Sequence, residues 1–300
     1  MTVVSLFPSA TEVAAELGAT PAAVSHQCDH PPEVADRPTL TGLVRELDRD
    51  PAEVDRIAAF DDTYYLDGET LAAADPDAVL TQGVCAVCAL DAGLAREAVE
   101  RLDLDCEVLD VHADDLGDVL DNVARIGRAV GREAAARDLR ADLDARIDRV
   151  REAVADVPDR ERPRVAAFDW TDPLRHGGLW VPELVETAGG EAGLAEAGRR
   201  SETLDWADVR AYDPKVVVVA PCGYDRAGAE RAVEDLRARE GFSDLAAARE
   251  GRVYAMDGTA YMNRHSHRVV DTLEALAATI HPERVDREDD RVARVGTRPA

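Results

Sequence analysis

Residues 66–82, LDGETLAAADPDAVLTQ, and residues 204–220, LDWADVRAYDPKVVVVA, match one another at a constant offset of 138. Leu66 matches Leu204, Asp67 matches Asp205 and Leu71 matches Val209; Ala73, Asp75 and Pro76 then match Ala211, Asp213 and Pro214. Each copy reads as a short helix, a proline-marked turn and a buried strand that runs into a cysteine-bearing loop. A period this long belongs to two related lobes and not to a solenoid. Between the copies, Leu139, Leu143, Ile147, Val150 and Val154 fall in one narrow stripe of a helix over 132–157. Asp and Arg fill most of its other faces. Such a helix would run roughly 39 Å at about 1.5 Å per residue, and Pro158 ends it. It reads as a strut joining two lobes; the alternative is an ordinary surface helix of a single domain.

Composition narrows the class. The balance of 61 acidic against 35 basic residues excludes a nucleic-acid partner, which needs basic surface. Lys215 is the only lysine. An acidic, lysine-poor surface of this kind resembles halophilic proteins, and it reports solvent rather than activity. An apolar content of 46% supplies a core for one large or two medium domains. There is no apolar run of 18 or more residues, so the chain is expected not to span a membrane. MTVVSLFPSATE lacks a basic region and a long apolar region, which predicts no secretory signal and a cytoplasmic protein as given; a monomer is expected. Five cysteines, an odd number, favour thiols or metal over a disulfide framework.

Strands alternate with helices along the chain, as in βαβ units with mainly parallel sheet. The predicted strands are 3–7, 22–27, 77–82, 106–111, 164–170, 216–220 and 252–257. Helices are predicted over 10–17, 51–60, 90–102, 114–130, 227–239 and 266–280, the first opened by a Ser9–Glu12 capping box. Residues 284–300 read as a charged, poorly ordered tail.

In open α/β sheets ligands bind beyond the carboxyl ends of strands. The residues following strands are therefore Cys28 and Asp29, Cys85 and Cys88, Asp169 and Trp170, Cys222 and Tyr224, and the run Tyr261 to His267. Cys85-x-x-Cys88 fits two thiolates on one metal or a dithiol redox pair. With Cys28 and Cys222 it fits a thiolate-rich site for zinc, iron–sulfur or another thiophilic metal, or else the four are unreactive thiols. His265 and His267 are either ligands or a polar helix start. Trp170, Trp180, Tyr224 and Tyr261 either stack on a planar ligand or fill the core. Cys106 reads as a small buried hydrophobe.

SLFPSATE, VSHQCDHPPE, GVCAVC, LWVPELVETAGG, VVVVAPCGY and VYAMDGTAYMNR, in that order over about residues 3–282, resemble the vitamin B12 and iron-siderophore branch of ABC-transporter substrate-binding proteins. The resemblance is to its cysteine-bearing, leaderless, cobalamin-binding-type members. It implies the class III fold, two Rossmann-like lobes with parallel sheets joined by one long helix and a ligand clamped between them. The limits it implies are 1–131, 132–157 for the helix, 158–283, and 284–300 for the tail. Ligand contacts are implied in the loops holding Cys28, Asp29, Cys85, Cys88, Trp180, Cys222 and Tyr261. The family also docks onto permease arginines through one acidic residue per lobe. Glu69 matches the first; the second falls at Ala207, with Asp205 and Asp208 as neighbours. A family Arg-Pro-Gly-Pro-Arg stands here as Arg264-His265-Ser266-His267-Arg268, and the export signal usual in extracytoplasmic members is not expected here. The expected function is non-catalytic binding of a cobalamin-like corrinoid or related metal complex, with an ABC permease as the partner to test. The rival is a cytosolic thiol-dependent metalloprotein or redox enzyme using Cys85 and Cys88. No nucleophile–base–acid set and no phosphate loop is legible.

Overall fold

The computed structural model describes residues 1–46, 57–60, 64–82, 92–285 and 291–295. The chain divides into two compact units, Met1–His112 with Asp118–Ala141, and Ala113–Gly117 with Asp142–Ala300. The expected loop GVCAVC, with Cys85 and Cys88, lies outside the described residues.

The first unit opens with β1 (Val3–Ser5), α1 (Pro8–Glu16), β2 (Ala23–Val24) and β3 (Thr41–Leu43). It continues through β4 (Ile57–Phe60), β5 (Tyr64–Asp67), α2 (Gly68–Ala74), β6 (Ala78–Thr81), α3 (Ala92–Arg101) and β7 (Glu107–Asp110). Then come α4 (Leu116–Ala129) and α5 (Glu133–Val154). Its main sheet is parallel throughout, in the order β2-β1-β6-β7. The apolar runs of β1 and β6 are buried on both faces, as a parallel sheet covered by helices requires. Val4, Leu6, Val79, Leu66 and Leu71 form the core beside it. A second sheet, β3-β5-β4, is antiparallel.

The second unit contains β8 (Val165–Thr171), β9 (Leu174–His176), α6 (Trp180–Thr187), α7 (Trp206–Tyr212) and β10 (Val216–Val219). It closes with α8 (Arg226–Arg237), α9 (Ala246–Arg249), β11 (Val253–Met256), α10 (Val269–Ile280) and β12 (Val292–Arg294). Its sheet runs β12-β11-β10-β8-β9. The three middle strands are parallel and the two edge strands antiparallel. Phe168, Val217, Val219, Val233 and Leu236 are among the residues of its core.

The repeat is visible residue by residue. Gly68–Ala74 and Trp206–Tyr212 are both helical, and Asp75 and Asp213 end them in the left-handed region at φ 43° and 46°. The four-residue strands β6 and β10 follow at the same offset, each wholly buried. The copies differ at the cap. Asp67 accepts from the backbone N–H groups of Glu69 and Thr70, whereas Asp205 makes no side-chain cap bond.

Helix α5, with 22 residues, is about 33 Å long and contributes to both units. Of its predicted stripe, Leu143, Ile147, Val150 and Val154 are buried and Leu139 half-buried.

Several expected elements are corrected. Ser9 and Glu12 are buried inside α1, which starts at Pro8, so they form no capping box; proline at the first helical position sets that start. Residues 57–60 are strand, not helix, because they pair with β5. The strand predicted over 22–27 ends at Val24. The tail is ordered at β12, which adds an edge strand to β11.

Candidate ligand-binding loops

In the second unit the end of β8 and the loops after β10 and β11 come to one place. A bulge in β8 between Phe168 and Trp170 re-aims Asp169. Asp169 and Trp170, expected after the strand, lie inside β8, which runs on to Thr171 to pair with β9; the Asp169 carbonyl accepts the Cys222 N–H at 3.1 Å, tying β8 to the loop after β10. The Tyr224 carbonyl accepts the N–H groups of Gly258 and Thr259 at 3.0 and 3.2 Å, tying that loop to a π-helical turn over Gly258–Met262. A Cβ on Gly258 would lie 2.2 Å from the Pro221 carbonyl oxygen, so only glycine permits this approach. Asn263 Nδ2 donates to the carbonyls of Ala220 and Gly258 at 2.9 and 3.0 Å.

The aromatic residues sit on this framework. Trp170 and Tyr224 meet edge to face with centroids 5.6 Å apart, and Tyr224 is 40% exposed. Trp170 donates its indole N–H to the Asp172 carbonyl at 2.8 Å, which fixes the ring. Trp180 is buried, donates to the Met262 carbonyl at 3.1 Å, and lies 5.1 Å from the His265 ring. The residue before it, Leu179, has φ 55°, a strained conformation that costs about 1–3 kcal/mol. Hydrogen bonds to Arg199 and Gly198 on either side hold it there. Tyr261 carries the Arg268 guanidinium 4.6 Å over its ring, with Arg291 at 5.9 Å. His265 is buried and His267 half-buried before α10.

Asp169 accepts from Ser201 Oγ at 3.0 Å, and Arg175 Nε donates to the same hydroxyl at 3.1 Å. Burial pushes the Asp169 carboxyl above the usual carboxylate range, against the pull of Ser201, Arg175 and His176.

In the first unit, Cys28 is buried beside Val24 and Val34, with its Sγ 3.0 Å from Thr11 Oγ1. Asp29 is exposed next to it, and Cys222, in the second unit, is exposed. Cys106 is half-buried against the first unit's core, and burial, with Asp105 and Asp77 nearby, pushes its thiol up. Among the described residues no group of three or more His, Cys, Asp or Glu side chains is placed to hold a metal ion. Glu69 and Ala207, 138 positions apart, are both exposed second residues of their helices α2 and α7.

His26 was not among the residues expected to bind. It is exposed, and its Nδ1 lies 2.9 Å from Thr41 Oγ1. Its ring is tilted against that of Tyr64 at 5.7 Å. Partial desolvation of the ring pulls the imidazole below its usual value, while Glu46 and the contact with Thr41 pull upward. The rule that selects residues after strands finds His26 once the strand ends at Val24; a strand drawn to Gln27 hides it.

Two α/β units, each built on a mainly parallel sheet covered by helices, have the build of a two-lobed substrate-binding protein. A family model described as periplasmic binding protein matches residues 3–260, and the chain belongs to that non-catalytic, substrate-binding family. A periplasmic heme binding protein from Pseudomonas aeruginosa aligns over 100% of this chain and 99% of its own, at 20% identity and TM-score 0.72. The periplasmic vitamin B12 binding protein of Vibrio cholerae aligns over 94% and 96%, at 17% identity and TM-score 0.66. An ABC transporter substrate-binding protein from Listeria monocytogenes aligns over 94% and 98%, at 16% identity and TM-score 0.70. At these identities the likeness is one of fold. No curated protein matches the chain. No helix among the described residues is long and apolar enough to cross a membrane.

Proposed function

We propose that this protein binds, without turnover, a cobalamin-like corrinoid or a related planar metal complex, and presents it to an ABC permease. The observation that carries this reading is the aromatic set in the second unit, at the end of β8, the start of α6 and the loop after β10. Two of the three tryptophans and the exposed Tyr224 stand there, in a chain with only 4% aromatic residues. Rings fixed by indole hydrogen bonds and backed by a rigid turn present apolar faces at little entropic cost. Trp180 is a wall of this arrangement and not a free stacking surface, because its indole is buried and bonded. Cys28, Asp29, Cys85, Cys88, Cys222, His265 and His267 are proposed as further contacts, the cysteines toward the metal. Glu69, with Asp205 and Asp208 flanking Ala207, would face the permease.

The test is a thermal melt in high salt with cyanocobalamin, aquocobalamin or hemin. A ligand at 100 times its dissociation constant adds about 2.7 kcal/mol. Tyr224→Ala should weaken binding roughly tenfold, about 1.4 kcal/mol, and leave the unliganded melt unchanged. Cys85→Ser with Cys88→Ser should remove most of the gain if thiolates hold the metal. If none of the three probes moves the melt, the binding reading fails and a thiol-dependent activity of Cys85 and Cys88 takes its place.

A further inference from the structure

We infer that His26 is an axial ligand, its Nε2 coordinating the metal of the bound complex while Thr41 holds the ring in the required tautomer. This rests on the proposed function and assigns a role within it.

Thr41 is the first residue of β3 and is 2% exposed. Its Oγ1 donates its single proton to Ser25 Oγ at 3.0 Å. It therefore has only lone pairs to offer His26. It accepts the His26 backbone N–H at 3.3 Å and stands 2.9 Å from Nδ1. The imidazole must donate there, so its proton is on Nδ1 and the lone pair is on Nε2. This is how metal-binding histidines are commonly oriented: one nitrogen donates to a fixed acceptor, which turns the other toward the metal. Among the described residues no hydrogen bond is made to Nε2, and the side chain is exposed. Tyr64 limits the tilt of the ring from one side. The position agrees with the topology, since His26 follows β2 at the carboxyl end of a parallel sheet, where α/β folds bind ligands.

A histidine anchored only for structure has no need of this arrangement, because either tautomer would satisfy a hydroxyl that was free to turn. Here the Ser25–Thr41 bond removes that freedom. On binding, a bond forms between Nε2 and the metal, and the metal's labile axial water leaves as neutral water. The proton stays on Nδ1, donated in the hydrogen bond to Thr41 Oγ1, and no electron is transferred.

The experiment compares two cobalt(III) corrinoids. Aquocobalamin carries an exchangeable axial water; cyanocobalamin carries a tightly held cyanide on the same face. With the parent protein, aquocobalamin should bind at least roughly tenfold more tightly, and its visible bands should shift as water is replaced by imidazole. His26→Ala should abolish the shift and equalise the two affinities while leaving cyanocobalamin binding within about twofold of the parent. Thr41→Val should weaken aquocobalamin binding about 10- to 100-fold, and Thr41→Ser should restore it. Thermal melts of the unliganded variants keep a folding defect from passing as a binding defect. If both corrinoids bind the parent alike with no band shift, the assignment of His26 is wrong and the binding function stands. If neither corrinoid binds and hemin does, the same comparison is read from the hemin Soret band, whose insensitivity to His26→Ala would overturn the assignment. If no probe binds, the proposed function itself has failed.

Discussion

Arg146 sits in the later half of α5 and reaches two carboxylates on α10 within the second unit. Its Nε donates to Glu274 Oε1 at 2.9 Å, and its Nη2 donates to Glu274 Oε2 at 2.6 Å and Asp271 Oδ1 at 2.5 Å. The three side chains are 20%, 30% and 23% exposed, between the surface and the buried limit. An exposed ion pair contributes about 0–1 kcal/mol, and breaking a buried one costs about 3–5 kcal/mol. Asp271 keeps Arg291 at 3.6 Å, which offsets part of the loss, while Glu274 loses a two-pronged partner. Arg146→Ala should therefore destabilise the second unit by about 2–3 kcal/mol. For a unit of this size that lowers the melting temperature by about 5–10 °C. Arg146→Lys keeps the charge without the fork and should lose an intermediate amount. The guanidinium is held still further above its already high pKa, chiefly by its bonds to Glu274, so its own charge is constant across the accessible pH range. Tryptophan fluorescence in a urea titration is a direct assay, since all three tryptophans lie in this unit. A loss below about 0.5 kcal/mol would refute the reasoning and return the triad to the class of solvated surface pairs.

Two further outcomes follow from single residues. Asp67→Ala should cost about 1 kcal/mol because it removes a cap that satisfies two backbone N–H groups, whereas Asp205→Ala should be close to neutral; paired urea titrations read the difference. Asp169 has its folded pKa raised above the unfolded value, so the native state holds its proton more tightly and stability from this group falls as pH rises through that interval. Asp169→Asn should then gain on the parent as pH is raised from below about 3.9 toward neutrality, keeping the acceptor for Ser201; a gap that shrinks over that range in matched melts would contradict the assignment.

The fold was legible because the strongest signals are local and doubled. A 138-residue repeat with matching Asp–Pro turns, and strands such as VVVV that are apolar on both faces, leave little choice of sheet type. Elements set by pairing were not legible. Ile57–Phe60 becomes strand only because β5 runs beside it, and Val292–Arg294 only because β11 offers a free edge. Ser9 and Glu12 have the spacing of a capping box, but Pro8 starts the helix one step earlier and buries both. At the site, spacing found the loops and missed the side chains that organise them. Trp170 and Tyr224 were identified by type. The tautomer of His26 depends on Thr41, which lies 15 residues away and reaches it only through the fold. The same holds for the contact of Gly258 with Pro221, two loops that adjacent parallel strands bring together.

The most direct measurement of the central claim is the absorbance spectrum of this protein purified from its native host, followed by mass analysis of whatever is released on denaturation. A corrinoid or related tetrapyrrole band at about one chromophore per chain is expected, with that chromophore recovered chemically unchanged. An iron–sulfur spectrum, or a colourless protein that takes up no such complex when offered it, would contradict the account.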